Sequence, residues 1–363
     1  VEPENEEGGF GELIVKRVVS GSDVDRRGLS PDDRLVAFGG WPLRNFNQFK
    51  NKLGVFPKGW RVPLVFRRDV TEKREVLVRL PGRAPDILPD SRTDNPTPDE
   101  QTAPPPLPPP PPNTDAAKLF DGKPGYANYY FNKMERDRLL AAFRKKGDFT
   151  ALHGDWTLKA SCTIAKKTAS SQIAVRAPAK DEKNEQIAAS IDMIDYTLDP
   201  FGSGDKVKLE DLQAPPGSGG LLLALFQYQQ LLTAGEKAFT GDFSDGGVEP
   251  YYLPTPAGSP PDYTKQRVMC DVLRTRLAGV STKWYFLRAD QEHWYMPQEP
   301  TGQLIGFETT VDRDEDPCEV SLSEYHDQNG GSLPGRMEVR YKDKAFAVLT
   351  DVTFQMEKAE GGK

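Results

Sequence analysis

Apolar residues fall into two patterned regions separated by a stretch with no period. The first begins with the apolar run Leu13-Ile14-Val15, then Val18-Val19-Ser20-Gly21-Ser22, Arg27-Gly28-Leu29 and Asp32-Asp33-Arg34-Leu35-Val36. A Gly39-Gly40 turn follows. Phe46, Phe49 and Leu53 lie at i, i+3 and i+7, which is one face of a short helix. Asn45 suits its N-cap and Gly54 the position after its end. Val62 to Phe66 and Glu75 to Leu80 read as closing strands. Pro81 to Asn113 loses all periodicity and carries Pro104-Pro105-Pro106-Leu107-Pro108 through Pro112. Such a segment takes extended polyproline II and acts as a semi-rigid spacer.

The second region starts with a helical stripe over Ala127 to Phe143, with Tyr130, Met134, Leu139, Leu140 and Phe143 on one side. Strand patterns then cover Asp155 to Ala165, Gln172 to Val175 and Ile187 to Tyr196. Thr197 to Pro216 reads as polar and irregular. A second helix is predicted over Leu221 to Ala234, with Ser218 as cap and Gly235 as stop. Gly241 to Tyr263 reads as a loop. Strands are predicted at Gln266 to Leu277, Thr282 to Asp290, Leu304 to Val311, Cys318 to Glu324, Met337 to Tyr341 and Ala345 to Gln355. Asn329-Gly330-Gly331 and Lys342-Asp343 supply hairpin turns. Many antiparallel strands and few helices imply an α+β sheet wrapped around a helix.

The glycine-rich loop Gly8-Gly9-Phe10-Gly11 ahead of the first strand lets backbone N–H groups converge on an anion. The strand after it could accept an extended peptide, with side-chain pockets supplied by the helix. The peptide-binding candidates are therefore Gly9, Phe10, Gly11, Glu12, Leu13, Ile14, Val15, Phe46, Phe49, Lys50 and Leu53. Gly11-Glu12-Leu13-Ile14-Val15, Val18, Ser20-Gly21-Ser22, Gly28-Leu29, Asp33-Arg34-Leu35, Gly40, Phe46, Leu53, Gly59 and Arg67-Arg68 carry a likeness over about seventy residues. As a set they resemble the PDZ domain that follows the protease domain in high-temperature-requirement (HtrA) serine proteases. Two departures are turn residues: Asp32-Asp33 for Gly-Asp, and Gly39-Gly40 for Asn-Gly.

The second region resembles the outer-membrane lipoprotein carriers. The cues are Lys283-Trp284-Tyr285-Phe286, Gly302-Gln303-Leu304-Ile305-Gly306-Phe307-Glu308, Asp316-Pro317-Cys318-Glu319-Val320 and Gly331-Ser332-Leu333-Pro334-Gly335-Arg336-Met337-Glu338-Val339. That likeness implies a curved half-barrel with helices in its hollow, able to sequester an acyl chain. The chain therefore reads as an acidic tether (1–9), a PDZ β-sandwich or barrel with two helices (10–81), a proline-rich linker (82–115), a carrier-like α+β domain (116–357) and a tail (358–363).

Charge and chemistry narrow this picture. Of 363 residues, 37% are hydrophobic and 28% charged, which fits folded domains with polar linkers. The net charge of -7 disfavours nucleic acid as a partner, although residues 10–81 hold fifteen Lys/Arg against eight Asp/Glu. A positive field there would favour carboxylate-ended partners. No apolar run reaches membrane-spanning length. Cys162, Cys270 and Cys318 form no CxxC or Cys/His pair, so no metal or other cofactor is expected. One disulfide with a free thiol, or three reduced thiols, are both open.

Gly217-Ser218-Gly219-Gly220 looks like a protease nucleophile, but Pro215-Pro216 precedes it and a leucine-rich helix follows. His153, His293 and His326 lack the context of a triad. Asp290-Gln291-Glu292-His293 reads as a surface turn, and Asp314-Glu315-Asp316 as a solvated loop. No catalytic residue is expected in the chain itself.

The resemblances imply a peptide-binding accessory region of an extracytoplasmic, trypsin-like serine protease whose catalytic domain lies before Val1. The alternatives are a non-enzymatic adaptor and a lipid or lipoprotein carrier. The implied partners are peptide or protein C-termini and extended strands for the first domain, and a hydrophobic or lipid ligand for the second. The implied location is the periplasm or cell envelope.

Overall fold

The computed structural model describes residues 2–5, 13–69, 72–80, 109–110, 112–149, 156–164, 167–175, 187–191, 193–200, 208–239, 243–256, 258–312 and 314–356. Most of the expected linker, 82–108, and the tail from 357 on lie outside them. The chain forms two compact units, Val1–Asp86 with Glu249–Val268, and Ile87–Val248 with Met269–Lys363.

The smaller unit holds strands β1 (Glu2–Asn5), β2 (Leu13–Arg17), β3 (Arg34–Phe38), β4 (Trp41–Pro42), β5 (Arg61–Arg67) and β6 (Lys73–Arg79). They form one antiparallel sheet in the order β1-β2-β3-β5-β6, with β4 on β3. Helices α1 (Asp23–Arg26) and α2 (Phe46–Leu53) accompany them. Alternation decides the faces: Leu13, Val15 and Leu35 turn inward to meet Phe38, Phe49, Leu64 and Phe66. Asn45 caps α2, its side chain accepting from the Gln48 N–H at 2.9 Å. Gly54 ends that helix with right-handed backbone (φ -71°), so its hydrogen-only side chain is not needed for a left-handed turn. Asp33, almost wholly buried, is held by a two-pronged contact from Arg68, with both N···O distances 3.0 Å.

The PDZ assignment of residues 10–81 needs correction here. It left the outer edge of β2 open for a peptide, whereas β1 of the same chain is paired there, Pro3 opposite Val15 and Asn5 opposite Leu13. The unit is also one sheet with short helices rather than a sandwich or barrel.

The larger unit is built on an eleven-stranded antiparallel sheet. Its strands are β7 (Trp156–Ile164), β8 (Lys167–Val175), β9 (Ile187–Ile191), β10 (Ile194–Leu198), β11 (Phe243–Tyr252), β12 (Arg267–Leu277), β13 (Val280–Leu287), β14 (Leu304–Thr310), β15 (Cys318–Gln328), β16 (Gly331–Tyr341) and β17 (Lys344–Met356). Their spatial order is β10-β9-β8-β7-β17-β16-β15-β14-β13-β12-β11. Among the described residues the end strands β10 and β11 do not pair with each other, so the sheet is open. The helices of the chain beyond α2 are α3 (Asp115–Lys118), α4 (Tyr129–Arg144), α5 (Leu209–Leu212), α6 (Leu221–Thr233) and α7 (Tyr263–Gln266).

The sheet is curved, and α6 shows why. This one helix packs against β8 and β9 near one end of the strand order and against β13, β14 and β15 near the other. Strands lie about 4.8 Å apart, so β9 and β13, seven steps apart in the strand order, would be about 34 Å apart in a flat sheet. A helix is only about 10–12 Å across. The sheet must therefore curl around α6 to touch it on both sides. Aromatic rings fill the interface: Tyr228 of α6 stacks on Phe307 with centroids 5.4 Å apart, and Trp284 lies 5.1 Å from Phe307.

A curved antiparallel sheet around a helix is the arrangement expected for the larger half. Two details differ. The segment Gly241 to Tyr263, read as loop because of its glycines and prolines, contains β11. The run Ile187 to Tyr196 is split into β9 and β10 at Met193, whose positive φ of 63° makes a tight turn. The hairpins at Asn329-Gly330 and Lys342-Asp343 use positive φ at both residues, as their turn chemistry requires.

Candidate functional site

The peptide-binding candidates are scattered in role. Gly9, Phe10, Gly11 and Glu12 lie outside the described residues. Leu13 and Val15 point into the core of the smaller unit, and Ile14 lies half-buried on the other face of β2. Phe49 is buried against Phe38, ring centroids 5.6 Å apart, while Phe46 is only partly buried. Lys50 is exposed, with its ammonium 5.6 Å from the Phe46 ring, and Leu53 is exposed. The structure thus brings Leu13, Val15 and Phe49 together as packing.

The larger unit presents a different candidate, the hollow of the curved sheet. Helix α6, Leu221 to Thr233, is buried at eleven of its thirteen residues. Such a helix has no face for water and is stable only when enclosed. Its two buried glutamines are the exceptions in chemistry. Gln227 donates to the Leu277 carbonyl at 2.9 Å, which ties the helix to the end of β12.

Its start explains the Gly-Ser-Gly-Gly motif. The Ser218 hydroxyl accepts from the N–H groups of Leu221 (3.1 Å) and Gly220 (3.3 Å) and donates to the Gln213 carbonyl (3.2 Å). It is fully buried and ties down the turn into α6, whose N-cap is Gly220 rather than the expected Ser218. A side chain on Gly219 would meet the Tyr341 ring at 2.4 Å, and one on Gly220 the Val311 methyl at 2.6 Å. The glycines are there for close packing.

A pocket of about 330 Å³ lies beside this core, lined by Lys123, Tyr129, Lys133 and Arg136 on one side and Glu236, Phe239 and Phe243 on the other. Arg136 is buried on α4 and is held by Glu236 (2.8 Å), Asp137 (2.7 Å) and the Phe243 carbonyl (3.2 Å). The Tyr129 hydroxyl donates to that same carbonyl at 3.0 Å. Burial raises the Tyr129 phenol above its ordinary range, with Arg136 pulling the other way, so it stays a neutral donor. The Lys123 ammonium sits 4.3 Å above the Tyr129 ring.

Asp245 on β11 has its carboxyl pushed up to about 6. Burial is the largest cause, with the charges of Glu135 and Asp271 adding to it, against the Gly247 N–H and Arg274. Its backbone is clamped by Asn132 of α4, which accepts from the Asp245 N–H and donates to its carbonyl. A raised carboxyl gives stability that is complete below the ordinary pKa near 3.8 and is lost as pH rises through 6. Asp245→Asn keeps an acceptor for Gly247 and removes that loss. We expect it to stabilise the chain by about 1–2 kcal/mol at pH 7.5 and by nothing measurable at pH 3.5. Urea unfolding at both pH values reads the difference, and an equal effect at the two would contradict the assignment.

The other titratable candidates are accounted for by structure. Cys162, Cys270 and Cys318 are buried free thiols, and burial drives the Cys318 thiol far above its ordinary value. Asp290 accepts from the N–H groups of Glu292 and His293 and lies 2.9 Å from the His293 ring, an exposed turn. In the acidic run, Glu315 reaches Tyr341 and Lys342, but Asp316 is buried rather than solvated. Among the described residues no cluster of His, Cys, Asp and Glu could hold a metal.

No family model matches this chain, and no curated protein does. Similar solved structures include a DUF1329 family protein from Desulfovibrio piger, 12% identical, over 64% of this chain and 94% of that one. A LolA superfamily protein from Nitrosomonas europaea is 11% identical over 62% and 94%. A domain titled as an outer membrane lipoprotein-sorting protein, from Vibrio parahaemolyticus, is 10% identical over 62% and 95%. Each has a TM-score of 0.31, which carries no argument about ligand or activity. None of these three is named as a protease or a PDZ protein. With β1 paired on the edge a PDZ peptide would take, the expectation of an HtrA-like serine protease with a PDZ domain is corrected, and with it the inference of proteolysis; the curved, unclosed sheet expected of the carrier-like half is present as a fold.

Proposed function

We propose that the larger unit binds an apolar chain of the acyl type in the hollow of its curved sheet, in exchange for α6. The carrying observation is that a helix buried at eleven of its thirteen residues is enclosed by a sheet whose edges β10 and β11 are not paired with each other among the described residues. What fills the hollow is therefore a mostly apolar insert about 20 Å long and 10–12 Å across, more room than one lipid tail needs. The energies are commensurate. Burying each CH₂ is worth roughly 0.8 kcal/mol, so a chain of about fourteen carbons offers roughly 11 kcal/mol before costs. That is the scale of a whole domain's stability, about 5–15 kcal/mol, so such a ligand could compete with part of the core. An acyl cargo would place the work of the protein beside a membrane, in the cell envelope. Among the described residues no helix is long and apolar enough to cross one.

The test uses the tryptophans of the core, Trp156 and Trp284. A dansyl-labelled undecanoic acid titrated into the full chain should quench their emission saturably through energy transfer, with a blue-shifted dansyl band. Native mass spectrometry of the protein from bacterial cells should show lipid-sized adducts. A linear, non-saturating titration together with an adduct-free spectrum would remove this reading.

A further inference from the structure

The pocket beside α4 has a charge that the apolar hollow does not explain. Three cations line it, Lys123, Lys133 and Arg136, against the single carboxylate of Glu236. Asp137, also paired with Arg136, adds one more acid nearby. Asp121 lies near Tyr129 as well, so the excess of positive charge belongs to the lining itself, in a chain whose net charge is -7. Arg136 is buried and anchored from several sides, so its charge is fixed in place. The ammonium of Lys133 is on the exposed side of α4 with no ion pair or hydrogen bond among the described residues, and is available to an anion.

The floor of the pocket is aromatic. Phe239 and Phe243 are buried, their ring centroids 5.4 Å apart. Both belong to the same hydrophobic cluster as the residues of α6. The 3-10 turn Gly235–Ala238, which supplies Glu236, follows directly on α6. A ligand in this pocket therefore has charge at its mouth and the apolar core beneath it. The volume is at the lower end of small-ligand sites, enough for a headgroup and its first carbons.

We propose that this pocket receives the anionic headgroup of an amphiphile, with Lys123 and Lys133 pairing to it, the Arg136 field behind them, and the chain entering over Phe239 and Phe243. This rests on the apolar-chain reading of the hollow. Charge-assisted contacts from lysines to a phosphate or carboxylate are of the strong kind, and stronger where the floor excludes water.

Three twelve-carbon amphiphiles of different head charge, each below its micelle concentration, test it on the full chain: dodecyl phosphate, dodecyl maltoside and dodecyltrimethylammonium. Displacement of the dansyl probe gives the affinities. Dodecyl phosphate should bind about tenfold or more tighter than the maltoside, and the cation weakest, since every tenfold is only about 1.4 kcal/mol. The Lys123→Ala/Lys133→Ala double variant, with both changes outside the core, should bring the phosphate down to the level of the maltoside. Rising salt should do the same to the wild-type chain.

If phosphate and maltoside bind alike, or if the double variant keeps the preference, the headgroup assignment is wrong while the apolar hollow stands. If none of the three competes with the probe, both inferences fall.

Discussion

Replacing Gly302 by alanine should lower the melting temperature of the larger unit by about 10 °C or more. Gly302 has φ +67°, and a Cβ there would lie 2.2 Å from the Ala142 carbonyl oxygen and 2.7 Å from the Phe143 nitrogen. Those are backbone atoms in the last turn of α4, which cannot rotate away. The left-handed conformation alone costs a non-glycine residue about 1–2 kcal/mol. The clash adds displacement of α4 from the segment leading into β14. That segment is also where Arg138 donates to the Gln298 carbonyl at 2.6 Å. At about 2–4 °C per kcal/mol for a unit of this size, a loss of roughly 3–5 kcal/mol gives the stated shift. Gly330→Ala is the control, because Gly330 shares the positive φ (84°) but has nothing within 4 Å. It should cost only the conformational part. Equal shifts for the two variants by thermal circular dichroism would show that α4 does not press on Gly302.

Phe226→Ala should be of similar size for a different reason. Phe226 is fully buried on α6 within the main hydrophobic cluster. Removing a buried phenylalanine costs about 3–5 kcal/mol, made up of lost transfer energy and the cavity left behind. A cavity inside such an apolar cluster stays dry and takes small apolar molecules. Benzene should therefore raise the melting temperature of Phe226→Ala and leave the parent chain unchanged. A cost below about 1 kcal/mol would mean the helix refills the gap by shifting, and that the hollow is looser than it looks.

The period of the apolar residues made most of this legible. Helix α6 is visible as Leu221-Leu222-Leu223-Ala224-Leu225-Phe226, and the strands from β12 onward as alternations ended by Gly or Asp turns. Strand β11 was hidden because Gly246, Gly247 and Pro250 carry turn signals. At Gly246 the reason is close packing, since a Cβ would touch the side chains of Arg274 and Val272. Strand β1 was hidden because Glu2-Pro3-Glu4-Asn5 has no apolar residue, and its place is set by backbone pairing with β2. The pocket was not legible at all. Lys123, Arg136, Glu236 and Phe243 are over a hundred residues apart at the extremes, and no local motif links them. Ser218 was readable as belonging to the start of α6 because serine ahead of a leucine-rich run is a local signal, but the N-cap itself falls two residues later, on Gly220.

The order of strands in the curved sheet has a consequence for how the chain is made. Strand β7, the first of the larger unit, lies beside β17, the last, and β17 in turn beside β16. Helix α6 leaves the ribosome after β7 to β10 but before β12 to β17, so half of its wrapping does not yet exist. For the time needed to synthesise more than a hundred residues, a helix buried at eleven of its thirteen residues in the finished fold waits half-covered. The middle of the sheet can be sealed only when β17 arrives. The unit should thus be slow to fold and depend on protection from aggregation during synthesis, and fragments lacking β17 should be insoluble.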